Sequence, residues 1–512
     1  MVIGLDSFDM PLAESFMQEG LMPNLARLKT QSACCKVQDG HEKYSGLAWE
    51  YFSTSMHPAN GGRWSPLEFN PDTYEIQQRP VQIAPFLAEL AARTVVFDVP
   101  YCDITQAEKV QGLTRWGAHD PGVPEQSRPA NLRSEIARRF GAYPALKDIY
   151  GFCWPSAKRT RELSDRLARA ATLRGKVMRW MLEEKFPDWE LGVVVVGESH
   201  SAIEPLWHGV DPTHPLYSIP SGPEAAKGLR KIYNAIDGLI GELQSAFPDA
   251  TLAVFSSHGM GANHADVAAM ALLAELTYRW QFNEPYMRPR KWSKTLPNGI
   301  PLLNENDRWH DSIVPMVPYP PEGEPGGKWN CSWMPVTRYA RFWPKMKAFA
   351  IPSYYDGRLR INLQGREAQG VVPREEYERV RDTLMADLKN LRNSATGEKA
   401  VADIWCPKSD DPLGIGPTEA DLYVIWQGNP YGLACPKAGE VGPLPCRRPG
   451  GHTGKFGFLY LHGKEVRAGD YGVASSFEVV PTLLDLMGEK RPAQVHGNSL
   501  WPQMRMRVEK AA

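Results

Sequence analysis

Much that would place this sequence quickly is missing from it. None of its 512 residues fall in a run near the roughly 18 apolar residues that cross a membrane. Neither sign of charge dominates: 58 Lys and Arg stand against 59 Asp and Glu, a formal net charge of −1. A protein that coats nucleic acid needs a basic excess to bind phosphates, so that class is excluded. Disorder is excluded too, because 43% of residues are hydrophobic and 23% charged. Met1 leads straight into VIGLD, with no basic segment ahead of an apolar one. No signal peptide is therefore visible, and a cytoplasmic location is expected. The eight cysteines contain no CxxC pair. In a reducing compartment they are expected to be free, mostly buried thiols. No internal repeat of solenoid period occurs.

What is present is an alternation of short apolar runs with amphipathic helical patterns, the mark of an α/β chain. Val2–Leu5 reads as a buried strand, and Met10–Leu28 as the helix after it, with Leu12, Phe16, Leu21, Leu25 and Leu28 as its apolar stripe. Thr94–Val99 reads as a strand and residues 160–186 as a long, Arg-rich helix. Leu191–Val196, with four consecutive valines, has the composition of a strand buried on both faces of a parallel sheet. Glu224–Ala246 and Arg374–Leu391 are expected helices, and Thr251–Phe255, Asp421–Trp426 and Phe456–Leu461 expected strands. Phe477–Met487 reads as a last helix containing Pro481. Residues 57–150 and 281–346 break this rhythm, and irregular stretches so long are uncommon in a compact domain unless they serve a site. Both are expected to be insertions forming a cap or pocket walls within a single domain spanning residues 1–512. Packing decoration or an oligomer interface is the alternative.

In doubly wound sheets, ligands sit beyond the carboxyl ends of the strands. The polar residues at such places are Asp6 after VIGL, Glu198 and His200 after LGVVVVG, Ser257 and His258 after TLAVFS, and His452 ahead of the KFGFLYL strand. One acid or imidazole there is ordinarily a structural hydrogen-bonding residue. Several together are how a metal centre recruits ligands from separate strands. Ser45, in HEKYSGLAWEYFSTS, opens a short expected helix over Gly46–Ser53. That position suits an N-cap, and it also suits a hydroxyl beside a bound anion. A metal against the hydroxyl would make it a nucleophile.

An acid after the first strand, a hydroxyl some 40 residues on, an acid–imidazole pair near 200, an SxHGM turn and a late GxH resemble, in that order, the alkaline phosphatase superfamily. The branch most similar is that of type I phosphodiesterases and nucleotide pyrophosphatases. VIGLDSFDMPLAESFMQEGLMPNLARL resembles its opening segment. SGLAWEYFSTSMHP resembles its nucleophile segment, with Ser45 four residues before Trp49. VFSSHGMG, RLRINLQGREAQGVV, RRPGGHTGKFGFLYLHG and VVPTLLDLMGEKRPAQVHGNSL follow in the family's order.

The resemblance implies a three-layer α/β/α sandwich around a large, mostly parallel sheet. It implies two divalent metal ions about 4 Å apart, zinc first, with manganese or iron as alternatives. Asp6, Ser257 and His258 would surround one with Ser45, and His200, Glu204 and His452 the other. The implied reaction is hydrolysis of a small-molecule phosphate ester, foremost a phosphodiester, by in-line attack of Ser45 through a covalent phosphoseryl intermediate. Phosphoryl or sulfuryl transfer, or hydrolysis of monoesters, phosphonates or sulfate esters, is the second reading. A repurposed binding protein is the third. The sulfatase signature, Cys or Ser followed two residues later by Pro or Ala and then Arg, surrounds none of the cysteines.

Some positions depart from the family's pattern. The family usually has Asp where His200 stands and His where Glu204 stands. The pair is inverted but keeps one acid and one imidazole at i and i+4, on one face of a helical turn. The family also has Asp where Ser257 stands. A hydroxyl is a poor zinc ligand, so Glu198, His264 and Asp266 become candidate substitutes. Arg448 is expected to clamp a phosphate, with an ion pair as the alternative. Arg366 and Glu367 read as a structural pair, and His208, Asp211 and His214 as shaping the loop after the ligand pair. Trp309, Trp329, Trp333 and Trp343 read either as packing or as the lining of an apolar substrate pocket. The near-neutral charge leaves homo-oligomerisation open.

Overall fold

The four valines of Leu191–Val196 alternate between two cores. Val193 and Val195 pack with Val2, Val96, Ala253 and Phe255, while Val194 and Val196 pack with Ile3, Leu5, Val95 and Val254. Successive side chains of a strand face opposite sides, so a continuous apolar run belongs to a sheet covered on both faces. The computed structural model describes residues 1–39, 46–117, 122–149, 153, 155–305, 307–318, 331–407 and 411–506.

The central sheet has nine strands. Their order is Gly469–Ser475, Ala33–Gln38, Gly457–His462, Leu252–Ser256, Val2–Leu5, Leu191–Val196, Thr94–Phe97, Gln111–Leu113 and Ser127–Arg128. Val2–Leu5 lies in the middle, parallel to both neighbours, with Val2 opposite Val193 and Ala253. Gly457–His462 and Ser127–Arg128 run against the rest. Met10–Gln18, Pro23–Gln31, Ala157–Trp180 and Gly222–Ala246 cover one face of the sheet, and Ala48–Thr54 and Val479–Met487 the other. The architecture is thus a three-layer α/β/α sandwich with a mostly parallel sheet, as expected. The two longest helices approach closely: a Cβ on Gly228 would lie 2.1 Å from Ser164 Oγ.

A four-stranded antiparallel sheet, Ala348–Ile351, Gly357–Ile361, Leu422–Trp426 and Val401–Trp405, carries a separate core. Residues from 281–346 pack on this core, Trp309 and Trp343 among its fully buried side chains. Trp343 stacks on Phe349, and Trp309 Nε1 donates to the Pro445 carbonyl at 2.8 Å. These two tryptophans are therefore packing residues. Trp329 lies outside the described residues.

Two expectations of local structure change. Met10–Leu28 is not one helix but two, because Gly20 takes the left-handed conformation (φ +78°) and Pro23 opens the second helix. Residues 57–150 hold more strand than their pattern signals: besides the expected strand at Thr94–Phe97, they supply Gln111–Leu113 and Ser127–Arg128 to one edge of the central sheet. The last two strands have three and two residues, too short for any period to register. Among the described residues, no helix is long and apolar enough to cross a membrane. The eight cysteines are free thiols, and six of them are buried.

Candidate metal centre

Chain geometry alone brings four segments to one end of the sheet. Asp6 follows Val2–Leu5 directly. The helix Glu198–Leu206 starts one residue after Leu191–Val196, so His200 and Glu204 share one of its faces. His258 sits in the tight turn between Leu252–Ser256 and Gly259–Ala262. His452 lies in Gly450–Gly454, which pairs antiparallel with Gly259–Ala262, Gly259 facing Gly454. That register sets His452 beside His258.

The side chains converge. His200 Nε2 lies 3.1 Å from Glu204 Oε1 and 3.3 Å from His452 Nε2. His200, Glu204 and His452 each offer one ligand atom, all within 4.8 Å of one another. Atoms bound tetrahedrally at 2.0–2.1 Å from a common zinc stand about 3.3 Å apart, so the two short separations suit a shared cation. On the far side of each ring a second residue takes the other nitrogen. His200 Nδ1 is 3.0 Å from Asp6 Oδ2. His452 Nδ1 meets His258 Nε2, and His258 Nδ1 is 3.0 Å from Ser257 Oγ. All six residues are buried.

Asp6 is itself held in place. Its Oδ1 accepts from Trp49 Nε1 at 2.8 Å and from Ser7 Oγ at 3.1 Å. Trp49 reaches it across the backbone of the first strand, where a Cβ on Gly4 would lie 2.3 Å from the indole. Glycine is required there for the close approach. Ser45, upstream of Trp49, lies outside the described residues.

The electrostatics fit a cation. Burial disfavours charge on His200, but Glu204 and Asp6 outweigh it and raise its pKa to about 10. Burial, with the neighbouring imidazoles, holds His452 well below its ordinary value. Burial also lowers His258, against the pull of Asp39 and Asp6. Glu204 and Asp6 thus favour positive charge at this point, which a divalent cation would supply.

Arg448 is fully engaged beside the centre. Its Nη1 donates to Glu204 Oε1, and its Nε donates to Asp266 Oδ2 at 2.9 Å. Arg447 Nη1 donates to the same Asp266 oxygen at 2.8 Å. Burial would raise the Asp266 pKa, yet Arg448 and Arg447 hold it below the usual range. Arg448 thus meets carboxylates, which is the ion-pair alternative in a buried setting. The candidate substitutes for Ser257 are also committed elsewhere. Glu198 is held by Arg174 at 2.8 and 2.9 Å, Asp266 by the two arginines, and His264 Nδ1 by Asn429. Arg366 and Glu367 form the expected pair at 3.0 Å, joined by Asp421 and Arg360. His208 contacts Ser221 Oγ and Cys153, while Asp211 Oδ1 caps the turn at Thr213 and His214 Nδ1 accepts from Leu216 N.

Tyr355 and Arg447 border the centre without a sequence signal of their own. The Tyr355 ring stands edge-on to His452, centroids 4.3 Å apart. Arg447 lies over the Trp333 ring, on which His310 stacks. Asp98 binds Arg174, and its place after Thr94–Phe97 is the one clue the strand-end rule would have offered.

An α/β/α fold with a cluster of side chains able to hold a metal ion at its strand ends is the class these observations define. No protein-family model and no curated protein matches the chain. Solved structures do. Phosphonoacetate hydrolase from Sinorhizobium meliloti 1021, in complex with phosphonoacetate, is 13% identical, with 90% of this chain and 89% of that chain covered and a TM-score of 0.46. Human ectonucleotide pyrophosphatase / phosphodiesterase 5 is 10% identical, with 99% of each chain covered and a TM-score of 0.48. A mutant of alkaline phosphatase PafA is 10% identical, with 99% of this chain and 98% of that chain covered and a TM-score of 0.48.

Proposed function

We propose that this protein is a metal-dependent hydrolase of small phosphate esters, foremost phosphodiesters, with Ser45 as nucleophile. The observation that carries the reading is the meeting of His200 Nε2, Glu204 Oε1 and His452 Nε2 at the carboxyl end of the sheet. These three side chains would hold a divalent cation, with zinc preferred by the mixed nitrogen and oxygen donors and manganese or iron as alternatives. Such an ion supplies charge neutralisation to a phosphoryl group.

The chain's own residues do the rest. The Ser45 hydroxyl attacks phosphorus in line, the ester oxygen leaves with a proton, and water then cleaves the phosphoseryl bond. Asp6 fixes the ring of His200 by taking its Nδ1 proton side, and Arg448 fixes the carboxylate of Glu204. The end of the 281–346 stretch that carries Trp333 borders Arg447, which supports its reading as a wall of the substrate pocket.

The test is a panel of chromogenic phosphate diesters, monoesters, phosphonates and sulfates, run on metal-loaded protein. Diester turnover is expected, reduced about a thousandfold or more by Ser45→Ala. Unchanged turnover in that variant would sink the nucleophile assignment.

A further inference from the structure

The two imidazoles that face Glu204 are each backed by a residue that the family resemblance would give to a second metal. Proton positions follow from the network. If His200 Nε2 carries a lone pair, its Nδ1–H donates to Asp6 Oδ2. If His452 Nε2 carries a lone pair, its Nδ1–H donates to His258 Nε2, and His258 Nδ1–H then donates to Ser257 Oγ. This tautomer assignment serves both outer contacts and turns His200 Nε2, His452 Nε2 and Glu204 Oε1 toward one another.

We infer that the centre is mononuclear: His200, Glu204 and His452 hold one cation, and Asp6 and His258 are positioning residues that fix the tautomers of His200 and His452. This rests on the metal-dependent reading above. Among the described residues, the donor atoms left for a second cation do not converge. Asp6 uses Oδ2 on His200 and Oδ1 on Trp49 and Ser7. Both ring nitrogens of His258 are engaged, one by His452 and one by Ser257. Ser257 is a neutral hydroxyl where a carboxylate would be needed. Glu198 and Asp266, two acids close in sequence to residues of the centre, are locked onto Arg174 and onto Arg447 and Arg448. Among the described residues, one group of ligating side chains gathers tightly, and it contains neither Asp6 nor His258. The pattern is that of a metal-bound histidine whose other N–H is held by a carboxylate or a second acceptor.

Metal content per chain tests this directly. The full chain is stripped with a chelator, reconstituted separately with zinc, manganese and ferrous iron, freed of loose ions, and assayed by mass spectrometry of the elements. One ion per chain is expected, and the manganese form is expected to give the paramagnetic resonance spectrum of an isolated ion. Two ions per chain, or the spectrum of a coupled pair, overturns the inference and leaves the proposed function standing. No bound ion with any of the three metals overturns both. Asp6→Asn is expected to keep one ion at saturation with affinity about 10–100-fold weaker. Should that variant fail to fold, Trp49→Phe, which removes one N–H donor to Asp6, is expected to weaken binding in the same direction at unchanged stoichiometry. Undiminished affinity in whichever variant folds removes the positioning role.

Discussion

Glu198 and His200 stand two residues apart at the start of one helix, yet they enter opposite kinds of polar cluster. Glu198 joins a closed one. Arg174, fully buried, spends Nε and Nη2 on Glu198 and Nη1 on Asp98, and its guanidinium lies over Phe97 and Trp116. Asp98 accepts two further backbone N–H groups, from Trp116 and Gly117, at 2.7 Å each. Donors meet acceptors throughout. His200 joins an open cluster, in which His200 Nε2, His452 Nε2 and Glu204 Oε1 are acceptors turned toward one another. The comparison teaches that burial and charge do not separate structure from chemistry. What separates them is whether the buried groups meet as donor and acceptor or converge as potential ligands of one cation.

The sharpest way to break the comparison is to remove the hub of the open cluster. His200→Ala is expected to lose bound metal and ester hydrolysis together, about a thousandfold or more in turnover. Metal content retained at full activity would make this cluster as structural as the other. Removing the hub of the closed cluster should act on stability instead. Arg174→Met leaves Asp98 and Glu198 buried without their cation, at an expected cost of about 3–5 kcal/mol. The shift of the urea unfolding midpoint measures it, and a midpoint within error of wild type would mean that the triad relaxes into water.

Arg448 sits between the two kinds. Arg448→Gln is expected to weaken metal affinity about 10–100-fold by freeing the Glu204 carboxylate, with metal titrations as the readout. Unchanged affinity combined with a raised KM would instead restore the phosphate-clamp role. The smallest expected effect is acid lability near neutral pH. Burial holds His208 at about 3, and burial holds His214 and His310 at about 4, the last helped by Arg447 and Arg448. These values lie below the ordinary 6.5, so the unfolded chain takes up protons that the folded chain does not. Their contribution is complete above pH 6.5 and is lost progressively as pH falls toward 4. Urea midpoints at pH 7.5 and 5.5 check the sign: the lower pH should give the lower midpoint.

Legibility followed the range of the interactions. Leu191–Val196 and Gly222–Ala246 could be read because burial imprints a local pattern on them. Gln111–Leu113 and Ser127–Arg128 could not, because short edge strands are defined by the neighbour they pair with. The strand-end rule picked out Asp6, His200, His258 and His452. It also picked out Glu198, and nothing in the spacing distinguished it from a ligand. Trp309 and Trp343 showed the same limit, since a buried tryptophan and a pocket tryptophan have one sequence appearance.

By itself, then, the sequence determined that acids and imidazoles stand where strands end, since strand periodicity and chain order are local properties. Only the tertiary structure decided which of them face donors and which face each other. Arg174 comes to Glu198 from a distant helix, and His452 comes to His258 through the register of Gly259 against Gly454. A hydrogen bond depends on separations near 3 Å, and packing between remote segments sets those separations.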